Sequence, residues 1–148
     1  DLSTSHVLPA LIRKFQTAKN INQNQVICWG TGDPLREFLY VDDLAEACLF
    51  ALKNWDITSK DAPLDVSGKK LAWLNVGSGK EISIRDLAGR ISDLIGFKGK
   101  IIWDKDKPNG TPRKLLDTSR IRSLGWEPKT SLEDGIKFAI ADFNKNIF

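Results

Sequence analysis

The side chain best suited to proton transfer at neutral pH occurs once in this chain, as His6. His6 stands at a predicted loop-to-helix junction, where a side chain can face a cleft. An imidazole titrates in the range that suits proton transfer next to a carbonyl group. A lone histidine is more often structural than catalytic, so the residues alone favour a structural His6.

Arg36 is the best candidate for binding an anion. Period-two spacing places Arg36, Phe38 and Tyr40 on one face of a predicted strand. A guanidinium group can grip two diphosphate oxygens at once, whereas a lysine offers only a point charge. An ion pair between Arg36 and either Asp33 or Glu37 is equally compatible with the spacing.

Three further positions could contact a nucleotide. Trp29 precedes the turn 30–34 and could stack on a base or ring, worth about 1 kcal/mol, although a tryptophan beside a glycine turn often belongs to the core. Arg113 and Lys114 end a proline-bounded loop and could close over phosphate, or could simply form an exposed basic pair. Lys100 is a weaker candidate of the same type.

Composition excludes several classes of function. The net charge is only +3 and both signs are interspersed, which argues against a broad nucleic-acid surface. No apolar run approaches the roughly 20 residues that a membrane helix needs. The two cysteines, Cys28 and Cys48, are too few for a metal set and are typical of buried free thiols in a reducing, cytoplasmic compartment.

Hydrophobic periodicity predicts an α/β chain of short, scattered strands without a large parallel sheet. After a polar loop at 1–5, helices are predicted at 7–18, 44–52, 84–95, 119–124 and 132–144, and strands at 26–29, 35–41, 71–76 and 100–103. Ser83 and Gly96 are predicted to cap the third helix, and Asp42 the second. The second helix is apolar nearly all round, so we expect neighbours on more than one of its sides.

Several segments together resemble the nucleotide-sugar epimerases, dehydratases and reductases of the extended short-chain dehydrogenase family, and within it the GDP-L-fucose synthases. The matching segments are SHVLPALIRKF, WGTGDPLREFLYVDDLAEACLF, WLNVGSGKEISIRDLA, KPNGTPRKLLD and LGWEPKTSLEDGI. The segments with LNVGSG and LGWEP are typical of the wider family. The segments with REFLYVDD and KPNGTPRK are more specific.

The resemblance implies roles for individual residues. His6 matches a histidine that acts as an acid in epimerisation, whose cysteine partner lies in another domain and is matched by no cysteine here. Arg36, Lys14, Trp29 and Lys114 match the part that holds GDP, and Lys14 stands where arginine is common. The implied reaction is the NADPH-dependent conversion of GDP-4-keto-6-deoxymannose to GDP-L-fucose by 3,5-epimerisation and 4-reduction.

The parts that would bind NADPH are missing from the sequence. A reductase of this kind needs a glycine-rich turn and a Ser with Tyr-x-x-x-Lys. The single tyrosine, Tyr40, is followed four positions on by Leu44. The turn 77–79 lacks the third glycine of a dinucleotide fingerprint, and Lys80 lacks the spacing of a P-loop.

We therefore expect residues 1–148 to be the C-terminal substrate-binding part of a longer enzyme, an expectation that the absence of methionine also favours. Residues 35–53 are expected to pack on the missing Rossmann domain, which would bind NADPH. This part alone is expected to be inactive, and the full-length protein to form a homodimer. Two alternatives stay open: another nucleotide-sugar epimerase or dehydratase, and a nucleotide-binding module without catalysis.

Overall fold

A computed structural model describes residues 6–60 and 62–147; the predicted loop at 1–5 lies outside them. The described part is a mixed α/β structure of short strands and helices, as predicted. The helices are α1 Val7–Asn20, α2 Val41–Asn54, α3 Ile84–Ile95, α4 Ser119–Ser123 and α5 Leu132–Ile147. The strands are β1 Gln25–Trp29, β2 Leu35–Glu37, β3 Glu81–Ser83, β4 Lys100–Asp104 and β5 Arg113–Lys114.

The chain forms two compact units. The first unit contains the residues up to Arg36, the segment Glu81–Lys114 and the residues from Leu132 onward. The second unit contains Glu37–Lys80 and Leu115–Ser131.

In the first unit, β1 and β4 form a parallel pair. The register places Gln25 opposite Lys100 and Trp29 opposite Asp104. Alternate residues of β1 are buried, which is the period-two pattern of a strand with one covered face. The other face of β1 carries exposed side chains.

The core of the first unit lies between the helices and the covered face of β1. The Phe15 and Phe97 rings lie 5.5 Å apart between centroids. The caps predicted for α3 are confirmed: the Ser83 hydroxyl accepts a hydrogen bond from the Asp86 amide at 3.0 Å, and Gly96 ends the helix at φ 77°. The buried apolar residues of α1 and α3 are Leu11, Ile12, Phe15, Ala18, Leu87, Ala88, Ile91 and Ile95.

A second sheet has the strand order β3-β2-β5. Strands β2 and β5 are parallel, with Leu35 opposite Arg113 and Arg36 opposite Lys114. This pairing brings residues 78 positions apart in sequence onto neighbouring strands.

The second unit has its own small core. Ala47 of α2 packs with Ile121 and Trp126, and the half-buried side chains around them are Leu39, Phe50, Leu74 and Val76. The buried carboxylate of Asp43 accepts hydrogen bonds from the Thr130 amide at 2.9 Å and from its hydroxyl at 3.2 Å.

Two predicted strands were wrong in whole or in part. Strand β2 ends at Glu37, and α2 begins at Val41 with Tyr40 as its N-cap, so Asp42 lies in the first turn. Its charge there still favours the helix dipole. The predicted strand 71–76 is irregular, because its apolar side chains pack on the helical core and it finds no ladder partner among the described residues.

Among the described residues, no helix has both the length and the apolar character needed to cross a membrane.

Candidate functional site

The indole of Trp29 is the most prominent exposed aromatic group at the end of the β1–β4 pair. Its side chain is 63% exposed, so Trp29 is not a core residue. Ile27 precedes it on the same strand face and is 49% exposed. An open tryptophan at a strand end is suited to stacking on a planar ligand.

Lys14 approaches this tryptophan from α1. Its Nζ atom lies 5.7 Å from the centroid of the Trp29 ring and donates a hydrogen bond to the Ile27 carbonyl at 2.8 Å. The hydrogen bond fixes the ammonium group beside the ring. The structure thus brings together two of the residues that the resemblance assigned to nucleotide binding.

A groove of about 610 Å³ runs along this part of the first unit. Its lining combines a cationic end near Trp29 with a polar end at the start of β1. The lining residues are Arg13, Lys14, Thr17, Gln23, Gln25, Val26, Ile27 and Trp29. The groove is open to solvent, and its aromatic wall and polar groups could contact one side of a small molecule.

Lys100 lies at the opposite end of the same strand pair. It is opposite Gln25, whereas Trp29 is opposite Asp104. Four residue steps at about 3.3 Å each separate the two ends by about 13 Å. The structure therefore does not place Lys100 beside the Lys14 and Trp29 pair, and its role stays a prediction.

Arg36 and Lys114 face each other across β2 and β5. Arg36 donates from Nη1 to the Leu35 carbonyl at 2.7 Å. In the part of the chain that the structure describes, neither Arg36 nor Lys114 has an ion-pair partner. Two adjacent cations without a carboxylate form a suitable site for an anion.

The two acidic residues considered as partners for Arg36 have other contacts. Asp33 lies 3.8 Å from the guanidinium of Arg85. Glu37 accepts hydrogen bonds from the amides of Gly79 at 2.5 Å and Leu116 at 3.0 Å. The ion pairs that sequence spacing allowed for Arg36 are therefore not formed.

Arg113 differs from its neighbour Lys114. Its Nε atom pairs with Glu81 at 2.7 Å, and the hydrogen bond and charge of that carboxylate raise the pKa of the Arg113 guanidinium. Successive residues of a strand point to opposite faces, which accounts for the different surroundings of the two side chains.

His6 lies at the exposed N-terminal end of α1, away from the Lys14 side chain. It occupies the N-cap position, and its side chain makes no capping hydrogen bond. Eight helical positions separate it from Lys14, a rise of about 12 Å. The first unit therefore does not bring His6 next to Trp29.

Two residues of the loop between β4 and β5, Lys107 and Asn109, were not predicted as site residues. Lys107 on this loop places its Nζ atom 5.7 Å from the centroid of the Trp29 ring. Asn109 accepts hydrogen bonds through Oδ1 from the Thr31 amide at 2.7 Å and from its hydroxyl at 3.2 Å. The segment KPNGTPRK was recognised as specific, but no local signal pairs its first half with residues near position 30.

Arg85 supports the other side of the same turn. Its guanidinium lies 4.9 Å from the centroid of the Trp103 ring and donates a hydrogen bond to the Thr31 carbonyl. The Arg85 amide also donates to the Gly32 carbonyl at 2.8 Å. The turn that follows Trp29 is thus held on both sides by side chains of the first unit.

Neither Gly-x-Gly turn of the chain is suited to binding a pyrophosphate. The Gly79 amide is occupied by the Glu37 carboxylate, and the Thr31 amide by Asn109. Both turns also lack the third glycine of a dinucleotide fingerprint. The described residues hold no group of three or more side chains able to bind a metal ion.

This chain is similar to known proteins over nearly all its length. Residues 1–62 match the profile described as the NAD dependent epimerase/dehydratase family. GDP-L-fucose synthase 1 of Arabidopsis thaliana is 50% identical over 143 residues, which is 97% of this chain and 40% of that protein. The chain thus spans about two fifths of the length of this curated relative.

Solved structures share the fold. A GDP-mannoheptose C4 reductase from Campylobacter jejuni with NADP bound is 34% identical, with a TM-score of 0.77 over 98% of this chain and 46% of that one. A GDP-L-fucose synthetase from Naegleria fowleri bound to NADP is 26% identical, with a TM-score of 0.78 over 99% of this chain and 42% of that one. Residues 1–62 of this chain are thus similar to the NAD dependent epimerase/dehydratase family, and nearly all of the chain is similar to part of a GDP-L-fucose synthase.

Proposed function

We propose that this chain is the C-terminal, substrate-binding part of an NADPH-dependent enzyme that makes GDP-L-fucose. The substrate would be GDP-4-keto-6-deoxymannose, epimerised at the two carbons that flank the ketone and then reduced at the ketone. The observation that carries the proposal is the contact between Lys14 and Trp29 at an open groove. This contact lies in a chain that is 50% identical over 143 residues to a GDP-L-fucose synthase.

In this proposal the first unit holds the nucleotide part of the substrate. Trp29 stacks on the guanine, and Lys14 binds an adjacent phosphate. Arg36 and Lys114 supply the unpaired cations of β2 and β5 for the diphosphate. Lys100 is a secondary contact at the far end of the strand pair.

His6 is the proposed acid for epimerisation. Its exposed position at the start of α1 leaves the imidazole free to reach a substrate that extends beyond the groove. Replacing His6 by Gln should slow proton exchange at the carbons next to the ketone more than it weakens GDP binding. Deuterium incorporation from solvent, compared with GDP titrations, measures the two effects. Weaker GDP binding with unchanged exchange would remove the catalytic role.

NADPH would be bound by residues outside this chain, because both Gly-x-Gly turns lack the third glycine of a dinucleotide fingerprint and each has one amide already bonded to a side chain. The cofactor supplies the hydride for the ketone when it is bound. We further propose that this chain alone is inactive, that the full-length protein is a homodimer, and that it works in the cytoplasm, where its two free thiols stay reduced.

The apolar surface of α2 is the proposed contact with the cofactor domain. Val41, Leu44, Leu49 and Leu52 are all exposed, with Leu52 at 82%. Exposed apolar side chains on one helix favour association. Residues 1–148 alone should therefore self-associate in sedimentation experiments. A stable monomer at high concentration would contradict the assignment of α2 as the contact with the cofactor domain.

A second candidate is a reductase for another GDP-sugar. It is favoured by the likeness to the GDP-mannoheptose C4 reductase, a similarity that covers 98% of this chain. Direct titration of the protein that carries this chain with GDP-4-keto-6-deoxymannose and with the 4-keto form of a GDP-heptose separates the two candidates. UDP- and dTDP-sugars in the same titrations test the guanine preference.

A further inference from the structure

The loop between β4 and β5 contains a cation that the proposed substrate contacts do not use. Lys107 and Lys14 each place an ammonium group 5.7 Å from the centroid of the same Trp29 ring. In the described part of the chain, neither lysine forms an ion pair with a carboxylate. Two unneutralised cations thus converge on one exposed indole from opposite parts of the sequence.

We propose that Lys107 is a further substrate-binding residue, which binds a phosphate oxygen of the nucleotide whose base stacks on Trp29. This inference rests on the proposed nucleotide-sugar function. Like charges around one ring repel each other, and a diphosphate between or beside them removes that repulsion while gaining charge-assisted hydrogen bonds. The ammonium of Lys107 therefore gains more from a bound diphosphate than a solitary surface lysine would.

The loop is anchored in a way that fixes where Lys107 lies. Asn109, two residues on, accepts two hydrogen bonds from Thr31 at 2.7 and 3.2 Å. At the start of the loop, the Lys107 amide donates to the Asp104 carbonyl at 3.3 Å. Lys107 thus lies between two anchored points, and Asn109 is a positioning residue for it.

Gly30 makes this anchor possible. Its φ is 76°, and a side chain there would overlap the Asn109 carboxamide. The close approach of the two segments therefore depends on glycine at this position. The Asn109 side chain and the turn after Trp29 therefore depend on each other for their positions.

Lys105 is a matched control for Lys107. It lies on the same loop, is exposed and carries the same charge, but makes no cation–π contact among the described residues. Replacing either residue by Met changes the net charge of the protein equally. A difference between the two variants therefore reports position and not overall charge.

The test is titration of the protein that carries this chain with GDP and with guanosine, for Lys107→Met and Lys105→Met. We expect Lys107→Met to weaken GDP binding about tenfold, because a hydrogen bond to a charged group is lost. Guanosine binding should change by less than about twofold, and Lys105→Met should change neither by more than that. Lys107→Arg should recover most of the GDP affinity.

Asn109→Ala tests the positioning role. It should weaken GDP binding in the wild-type background but add little in the Lys107→Met background, because the two residues act on the same contact. Additive effects of the two substitutions would overturn the positioning role. Equal effects of Lys107→Met and Lys105→Met, or equal losses of GDP and guanosine binding, would overturn the phosphate contact.

UDP and dTDP in the same titrations distinguish this inference from the proposed function. If wild-type protein binds one of them and not GDP, and Lys107→Met weakens that binding, the phosphate contact stands while the GDP-sugar function fails. If wild-type protein binds none of the three nucleoside diphosphates, the Lys107 proposal is overturned too.

Discussion

Glu37 is a half-buried residue of the second unit whose removal should cost stability, because its carboxylate connects separate segments of the chain. Its two carboxylate oxygens accept separate hydrogen bonds, one from the Gly79 amide at 2.5 Å and one from the Leu116 amide at 3.0 Å. Gly77 packs so closely on the carboxylate that an added Cβ would lie 2.5 Å from Oε1. Glu37 thus joins three separate segments of the chain.

The cost of removing it follows from those two bonds. A hydrogen bond to a charged group contributes about 1.5–3 kcal/mol, and each amide left without a partner adds a desolvation cost where water cannot replace the carboxylate. Since Glu37 is only half-buried, water recovers part of this loss. We expect Glu37→Ala to lower the free energy of unfolding by about 2–4 kcal/mol and Glu37→Gln, which keeps one acceptor, by about 1–2 kcal/mol.

Urea unfolding of the wild-type and variant proteins measures these differences. Glu133→Gln is the control, since that residue is exposed, and its ion pair with Lys137 and its charge in the first turn of α5 are each worth less than about 1 kcal/mol. Hydrogen exchange of the Gly79 and Leu116 amides should accelerate in Glu37→Ala. Variants of Glu37 that unfold like the Glu133 control, with unchanged exchange at both amides, would refute the reasoning.

Three further predictions follow from single contacts. Gly30→Ala should destabilise the protein by at least about 1 kcal/mol in urea unfolding, since its φ is positive and the Asn109 side chain fills the space; an unchanged midpoint would contradict this. Burial raises the pKa of the Cys28 thiol, whereas Cys48 is exposed. In the isolated chain a thiol reagent should therefore modify Cys48 in the folded state and Cys28 only after unfolding. Rapid modification of both cysteines in the folded state would show Cys28 to be accessible. Ser83→Ala should lower the free energy of unfolding by about 1 kcal/mol through loss of the α3 cap, and Ser83→Asp should keep the cap and the stability. An unchanged free energy of unfolding in Ser83→Ala would show that the cap does not contribute to stability.

The parts of the fold that the sequence predicts well are those fixed by local signals. Helix α3 has Ser83 before it, an apolar stripe of helical period within it and Gly96 after it, and all three features are found in the structure. Strand β1 is predicted by the short apolar run at 26–29 and the turn residues that follow it. It pairs with β4, and the sequence of each segment favours a strand on its own.

The errors occur where a strand depends on a distant partner. Residues 71–76 have strand-like composition, but Leu74 and Val76 pack on helical neighbours and the segment has no ladder. The predicted strand from position 35 ends after Glu37, whose side chain binds backbone amides of other segments, and α2 already begins at Val41. Side-chain hydrogen bonds across such sequence distances leave no periodic signal.

The candidate site divides in the same way. Residue type and family resemblance identify Lys14 and Trp29, and the structure places them in contact. The sequence does not predict Lys107 and Asn109 as site residues, because their partners Trp29 and Thr31 each lie 78 positions away. Convergence of two lysines on one ring is visible only once the loop is folded onto the strand end.

The most direct test of the proposed function is NADPH oxidation by the protein that carries this chain. It would be supplied with GDP-4-keto-6-deoxymannose and, in parallel, with the corresponding keto-sugars of UDP and dTDP. We predict turnover with the GDP substrate and far slower turnover with the UDP and dTDP substrates. A folded protein that binds NADPH but does not oxidise it with the GDP substrate would contradict the account.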